Sequence, residues 1–232
     1  MHILITRPLE DSREIIIKFT NLGHKVSYMP VIEVEKAHYS NVNFSEYKAL
    51  IFTSANSLKF LDTKNINKKI FCFCVGEVTE KKALECGFQN VITAAGNVKN
   101  LEELILQNFN SSDGKLLYVS GELISSDLDK NLFSKGYNIK RIINYKIKPI
   151  QKLDDKFVES LKLNIPDIVY IYSLNSAHSF LNLLKNYDLN DKWMNTNLMC
   201  ISEKTSSVLN KIKWKKIFLF SPGEEEYLLY KI

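Results

Sequence analysis

Arginine is almost absent from this chain. Among 232 residues with 31 basic side chains, only Arg7, Arg13 and Arg141 carry a guanidinium. The bidentate contacts by which proteins read bases in a DNA duplex are therefore poorly supplied, and nucleic acid is not expected as a partner. Glycine is scarce as well, at eight residues, and neither Gly-x-Gly-x-x-Gly nor Gly-x-x-x-x-Gly-Lys occurs. The main signatures of dinucleotide and P-loop sites are thus missing. The four histidines, at positions 2, 24, 38 and 178, are scattered, and both His-Glu-x-x-His and Gly-x-Ser-x-Gly are absent. That argues against a metal centre or a histidine-based triad. Of the four cysteines, Cys72 and Cys74 alternate on one predicted strand, and Cys86 and Cys200 have no partner at zinc-site spacing. They read as buried, reduced thiols. No metal and no cofactor is expected. No apolar run approaches the roughly 20 residues of a membrane span. The opening Met1-His2-Ile3-Leu4-Ile5-Thr6-Arg7-Pro8 is too short an apolar run for a secretion signal. A cytoplasmic protein that does not engage membranes is expected.

What is present is enough apolar sequence, 45% of residues, for two domains of about 100 residues each with its own core. The net charge of +5 is carried almost wholly by lysine and suits an acidic small molecule better than a duplex.

The chain also repeats itself. Ile51-Phe52-Thr53-Ser54-Ala55-Asn56-Ser57 returns as Tyr170-Ile171-Tyr172-Ser173-Leu174-Asn175-Ser176, each residue 119 positions on. Cys74-Val75-Gly76-Glu77-Val78-Thr79 is echoed by Cys200-Ile201-Ser202-Glu203-Lys204-Thr205, and the stretch from Ile3 to Val34 by that from Leu116 to Ile147. With the halves called A and B, the order is A, B, A, B. The first A and last B complete one domain only if the middle B and A form another, inserted between them.

Short apolar runs separated by amphipathic stretches fit alternating strands and helices. Strands are predicted at Ile3–Thr6, Val26–Met29, Lys48–Thr53, Ile70–Val75, Asn90–Thr93, Leu116–Ser120, Ile139–Ile143, Ile168–Tyr172, Leu198–Ile201 and Lys216–Phe220. Helices are predicted from Pro8 to Leu22 and near Asn56–Leu61, Val78–Cys86, Leu101–Asn108, Ser126–Lys135, Ser176–Leu184, Lys204–Lys211 and Glu224–Tyr230. Strict alternation implies parallel sheets covered by helices on both faces. The expected architecture is two parallel-sheet α/β domains, residues 1–34 with 153–232 and residues 45–143. They are joined through extended connectors at 35–44 and 144–152, which form a two-stranded β link with a cleft between the domains.

Several strand ends carry small hydroxyl residues: Thr6, Thr53-Ser54 and Tyr172-Ser173, with Thr79 and Thr205 at helix starts. In an open parallel sheet ligands bind beyond the carboxyl ends of strands, where helix N-termini offer free N–H groups to anions. Serine and threonine there also serve simply as helix caps. Tyr145, in the second connector, either directs its phenol into the cleft or packs as one of 11 tyrosines. Trp193 and Trp214 read as packing residues.

Taken together, these residues resemble uroporphyrinogen-III synthase over nearly the full chain. The landmarks are Thr6-Arg7-Pro8, Gly23 followed by Pro30-Val31-Ile32, Phe52-Thr53-Ser54-Ala55-Asn56-Ser57, Val75-Gly76 with Thr79, Gly96-Asn97, Gly121-Glu122, Tyr145, and the Ser173 and Thr205 repeats. The resemblance implies two α/β domains and a cofactor-independent lyase of tetrapyrrole (haem) biosynthesis, acting as a monomer. Such an enzyme closes the polycarboxylate hydroxymethylbilane into uroporphyrinogen III, inverting the last pyrrole ring and losing water. Carried across, it makes Tyr145 the catalytic candidate, assisting departure of the hydroxyl. Arg7, Thr53, Ser54, Ala55, Thr79, Ser173, Leu174, Asn175 and Thr205 would contact substrate. Ser202 stands where a glycine is usual, and the usual arginine soon after Gly121-Glu122 is missing. The competing reading, from a different class, is a non-catalytic two-domain protein that binds or senses small anions.

Overall fold

The protein, a computed structural model, is described at residues 1–221 and 223–231. The chain opens with β1 (His2–Ile5), α1 (Leu9–Asn21), β2 (Lys25–Tyr28) and β3 (Ile32–Lys36). Pro8 stands at the N-cap of α1, where its missing N–H costs nothing, and Gly23, at φ +80°, ends the helix. Next come β4 (Tyr47–Phe52), α2 (Ala55–Lys59), β5 (Phe71–Val75), α3 (Glu77–Glu85), β6 (Asn90–Ala94), α4 (Val98–Asn108), β7 (Lys115–Gly121), α5 (Leu128–Ser134) and β8 (Ile139–Pro149). The remainder is α6 (Asp155–Leu163), β9 (Ile168–Ile171), α7 (Leu174–Asn186), β10 (Asn197–Cys200), α8 (Glu203–Val208), β11 (Lys216–Leu219) and a 3₁₀ stretch at Tyr227–Lys231.

Two compact units result, one of Met1–Glu33 with Lys148–Ile232 and one of Val34–Ile147. Residues 35–44 and 144–147, read from sequence as connector, belong to the second unit. The first unit holds a five-stranded sheet, β11-β10-β9-β1-β2, and β3 to β8 form a six-stranded one, β3-β8-β7-β4-β5-β6. The pairings of β1 with β2 and β9, and of β10 with β9 and β11, are parallel. So are those of β4 with β5 and β7, β5 with β6, and β7 with β8. The ribbon of β3 and β8 is the exception. The Ala37 N–H donates to the Asn144 carbonyl and the Ile150 N–H to the Val31 carbonyl, both at 2.9 Å, so the numbering rises on one strand as it falls on the other and the pair is antiparallel.

The repeat is realised at the level of register. One row of partners crosses the first sheet as Val26, Ile3, Ile168, Asn197, Lys216. The matching row in the second runs Ile139, Leu116, Ala49, Phe71, Asn90. Corresponding strands thus occupy corresponding places although the halves come in opposite order along the chain. Burial fixes this register. Leu50, Phe52, Cys72, Cys74, Leu117 and Val119 join Leu58 of α2 and Ala83 of α3 in one apolar cluster. The alternate residues Ala49, Ile51, Phe73, Leu116 and Tyr118 join Leu101 and Ile105 of α4 and Leu128 and Leu132 of α5 in another. A slip of one residue would exchange the two faces. In the first unit Ile3, Ile5, Ile168, Tyr170 and Met199 pack with Ile15 and Phe19 of α1.

Three sequence expectations are corrected. Residues 139–149 form one strand of 11 residues rather than a strand and a separate connector. Helix α6 is an addition to the predicted elements; Asp154 caps it by accepting from the Phe157 N–H at 2.9 Å, and Val158 and Leu161 are its buried residues. The helix expected at Glu224–Tyr230 is instead the 3₁₀ stretch, because Gly223 at φ +89° and the Glu224 N–H bond to the Ser221 carbonyl make a turn there.

Candidate active site at the carboxyl edges of the sheets

In each sheet the strand order reverses direction at one junction, between β9 and β1 in the first unit and between β4 and β7 in the second. At such a switch point the two following connections diverge to opposite faces and leave a crevice beyond the strand ends.

At the β4–β7 junction, Thr53 leaves β4 with its Oγ1 3.0 Å from the Tyr118 Oη. Ser54 is extended, φ −157° and ψ 143°, and its Oγ accepts from the Asn56 N–H at 3.3 Å, capping α2, of which Ala55 is the first residue. Tyr145 is buried in β8. It stands so close to the end of β7 that a Cβ on Gly121 would lie 2.6 Å from its Cζ and 2.9 Å from its Oη. Only glycine admits this approach. Arg141 straps the same turn, its Nε donating to Ser120 Oγ at 2.8 Å and its Nη2 to the carbonyls of Gly121 at 2.8 Å and Glu122 at 3.0 Å. The Glu122 N–H donates to the Tyr145 carbonyl at 3.0 Å. Where the resemblance lacks an arginine soon after Gly121-Glu122, Arg141 thus brings a guanidinium to that turn from the neighbouring strand. Burial raises the Tyr145 phenol above its ordinary range, opposed by hydrogen bonds with the Ser54 side chain and Gly121 backbone and by the Arg141 charge. Tyr145 is therefore a neutral phenol with a proton to donate.

At the β1–β9 junction, Thr6 is buried and its Oγ1 donates to the Tyr170 carbonyl at 2.6 Å. Arg7 lies with its guanidinium carbon 4.4 Å from the centre of the Tyr172 ring. Ser173 caps α7, its Oγ accepting from the Ser176 N–H at 3.0 Å and meeting the Ser176 Oγ at 2.8 Å. Leu174 and Asn175 form the half-buried first turn of that helix.

The third repeated pair diverges instructively. Gly76 opens α3 at φ +75° and ψ 154°, a conformation closed to other residues, without a side-chain cap. Ser202 opens α8 at φ −162° and ψ 161° and bonds through its Oγ to the N–H and Oγ1 of Thr205 at 3.3 and 3.0 Å. Serine replaces the usual glycine because the backbone has changed with it. Thr79 and Thr205 are both buried in the first turn of their helices.

The structure therefore gathers Thr53, Ser54, Ala55, Thr79 and Tyr145 at the carboxyl edge of one sheet, and Arg7, Ser173, Leu174, Asn175 and Thr205 at that of the other. Sequence reading missed Arg141 and Tyr118 as site residues. Arginine's rarity was an available signal, since two of the three arginines lie at these edges while Arg13 is exposed on α1. Cys72, Cys74 and Cys200 are buried and free, and burial pushes the thiols of Cys74 and Cys200 up to about 12. Among the described residues no helix is long and apolar enough to cross a membrane.

Fold and edges together define a duplicated α/β protein of two open parallel sheets, each presenting polar strand ends at a switch point. The chain belongs to the uroporphyrinogen-III synthase HemD family, HEM4, whose sequence model matches residues 14–220. It is 24% identical over 224 residues to the porphyrin biosynthesis protein HemD of Ruminiclostridium josui. That match takes in 90% of this chain and 44% of the relative, so the chain spans less than half of that protein's length. The fold is similar to a crystal structure of uroporphyrinogen-III synthetase from Helicobacter pylori 26695, with TM-score 0.65 and 20% identity over 100% of this chain and 99% of that one. It is also similar to a mutant uroporphyrinogen III synthase from the extremely thermophilic bacterium Thermus thermophilus, with TM-score 0.55 and 14% identity over the whole of both chains.

Proposed function

We propose that the chain is itself a uroporphyrinogen-III synthase, cyclising hydroxymethylbilane to uroporphyrinogen III with inversion of the terminal ring and loss of water. The observation that carries this reading is the neutral, buried phenol of Tyr145 held at the switch point of the β4–β7 edge, in a chain whose family match spans that edge.

The chemistry asks little of side chains. An electron-rich pyrrole expels the hydroxyl once that oxygen receives a proton or a strong hydrogen bond; water leaves and an azafulvenium cation remains. Tyr145 supplies the bond. Attack on the cation from the already substituted carbon of the terminal ring gives a spiro intermediate, which fragments and recloses with the ring inverted. The final closure releases a ring proton, which restores the one donated, so the net change is loss of water. The product is then decided by which carbon is held in reach, and positioning is the main source of catalysis. Thr53, Ser54, Ala55 and Thr79 at one edge, and Arg7, Ser173, Leu174, Asn175 and Thr205 at the other, are the residues assigned to the substrate's polar groups. The reading includes action as a cytoplasmic monomer on this small molecule, without metal or cofactor. Supplying freshly generated hydroxymethylbilane to the purified protein and resolving the isomers tests it. Type III product in the presence of chelator is expected, whereas type I alone at the spontaneous rate overturns the reading.

A further inference from the structure

Two adjoining polar groups at the β1–β9 edge lack the partners that their setting demands. The Nε of Arg7 and the Oη of Tyr172 are both shut off from solvent, and neither has a hydrogen-bond partner among the described residues. Buried donors are nearly always satisfied in folded proteins, and several polar atoms here are not; these two differ in lying on stacked side chains of residues that are only half-buried, where an acceptor from outside can reach them by a side-chain rotation. Their neighbours are already committed. Thr6 Oγ1 is spent on the Tyr170 carbonyl, and the Tyr170 Oη, on the ring stacked 6.2 Å from that of Tyr172, donates to the Glu225 carbonyl at 2.7 Å. Glu225, an acidic group near this edge whose charge also acts on the Tyr172 phenol, takes the Gly223 N–H on its Oε2 at 2.8 Å. The Tyr172 phenol is raised by burial, so it keeps its proton as a donor.

We propose that Arg7 and Tyr172 together form a subsite for one carboxylate side chain of the substrate, with Tyr172 as a specificity-determining residue that the repeat does not supply elsewhere. The inference rests on the synthase reading for the identity of the ligand. The pair suits a two-oxygen acceptor in its chemistry: the guanidinium contributes charge and an N–H, the phenol a second donor, and stacking at 4.4 Å holds the two side chains together. Thr53, the counterpart of Tyr172 in the second unit, has its hydroxyl within bonding distance of the Tyr118 Oη, so the duplicated position there is filled from within the protein. Arg7 also precedes residues 14–220, the span that the family match covers.

The test is fluorescence titration of wild type, Tyr172→Phe and Arg7→Lys with uroporphyrin III, an octacarboxylate, alongside melting of each protein with and without it and a separate isomer assay. Tyr172→Phe keeps the ring and the stack, so the free protein should melt no lower than wild type. Its Kd should rise about tenfold, the worth of one charge-assisted hydrogen bond, and the loss in turnover should fall on KM rather than kcat. Arg7→Lys should weaken binding at least as much; if it fails to fold, the phenylalanine variant decides alone. An unchanged Kd in folded Tyr172→Phe overturns the subsite, even where wild type makes the type III isomer. Weakened binding in a protein that makes no type III product upholds the subsite as a carboxylate site and removes the synthase reading instead.

Discussion

At the β4–β7 edge Arg141, Thr53 and Tyr145 have polar partners and the Ser57 Oγ has none among the described residues; at the β1–β9 edge Ser173 and Ser176 are paired, while Arg7 Nε and Tyr172 Oη are not. Arg141 makes three bonds, Thr53 meets Tyr118, and Tyr145 leans on Ser54 and Gly121. Arg7 Nε and Tyr172 Oη are buried without a hydrogen-bond partner among the described residues. Yet the sheets beneath share the order of their five corresponding strands and one row of register, departing where the second adds β3 and shifts register at Ser120/Gly121. The lesson is that duplication held what burial enforces, the apolar rows of the strands, and left the first residues beyond them free to diverge. One edge braces the Tyr145 phenol against Gly121. The other kept unmet donors.

The largest blow to the braced edge should come from Gly121→Ala. The added methyl meets the Tyr145 ring at 2.6 Å, and such overpacking costs roughly 1–3 kcal/mol while driving the phenol from its place. A lower melting temperature and a loss of type III formation at least as deep as that of Tyr145→Phe are expected. Normal turnover would show that the ring's position does not matter. Tyr145→Phe removes only the hydroxyl. It should slow kcat by about one to two decades, one hydrogen bond to a developing charge, and leave the fold intact by circular dichroism. An unaltered rate returns Tyr145 to a packing role.

Reciprocal exchange at the third repeat sharpens the comparison further. Gly76→Ser forces a side chain onto φ +75°, with open space around it but a strained backbone, and should cost about 1–3 kcal/mol in denaturant unfolding. Ser202→Gly loses only a cap and should cost about a few tenths of a kcal/mol. Equal costs would mean that the two helix starts have not diverged. The smallest effect is the one shared by both edges. Burial raises the phenols of Tyr118, Tyr145, Tyr170 and Tyr172 above the ordinary 10.0. The native state then holds these protons longer than the unfolded chain does, so their contribution is complete below about pH 10 and is lost as pH rises through the higher native values. The unfolding midpoint should fall only on the alkaline side of about pH 10, and less so in Tyr172→Phe.

Much of this was written locally. Short apolar runs bounded by turn residues located ten strands, and the caps at Ser54 and Ser173 follow from the residues immediately after them. The unity of β8 was not legible because Asn144 looks like a strand end. It is in fact fully buried, its Nδ2 donating to the Ser57 carbonyl at 2.6 Å, a partner 87 residues away. Helix α6 was missed because its apolar face amounts to two buried side chains among charged ones. The strap of Arg141 and the pairing of Thr53 with Tyr118 join side chains on neighbouring strands far apart in sequence, and no local pattern records them.

The swapped order of the halves has a consequence for how the protein is made. During synthesis β1 and β2 emerge first, but Ile3 must wait for Ile168, 165 residues later, before its sheet can grow beyond two strands. The middle of the chain, β4 to β8, has all its strands by Pro149, before Ile168 is made. The unit that begins first therefore finishes last. Its opening strand-helix-strand segment is carried with an unpaired edge while the strands of its neighbour are being made, and its sheet closes only after the longest loop in either sheet has been spanned.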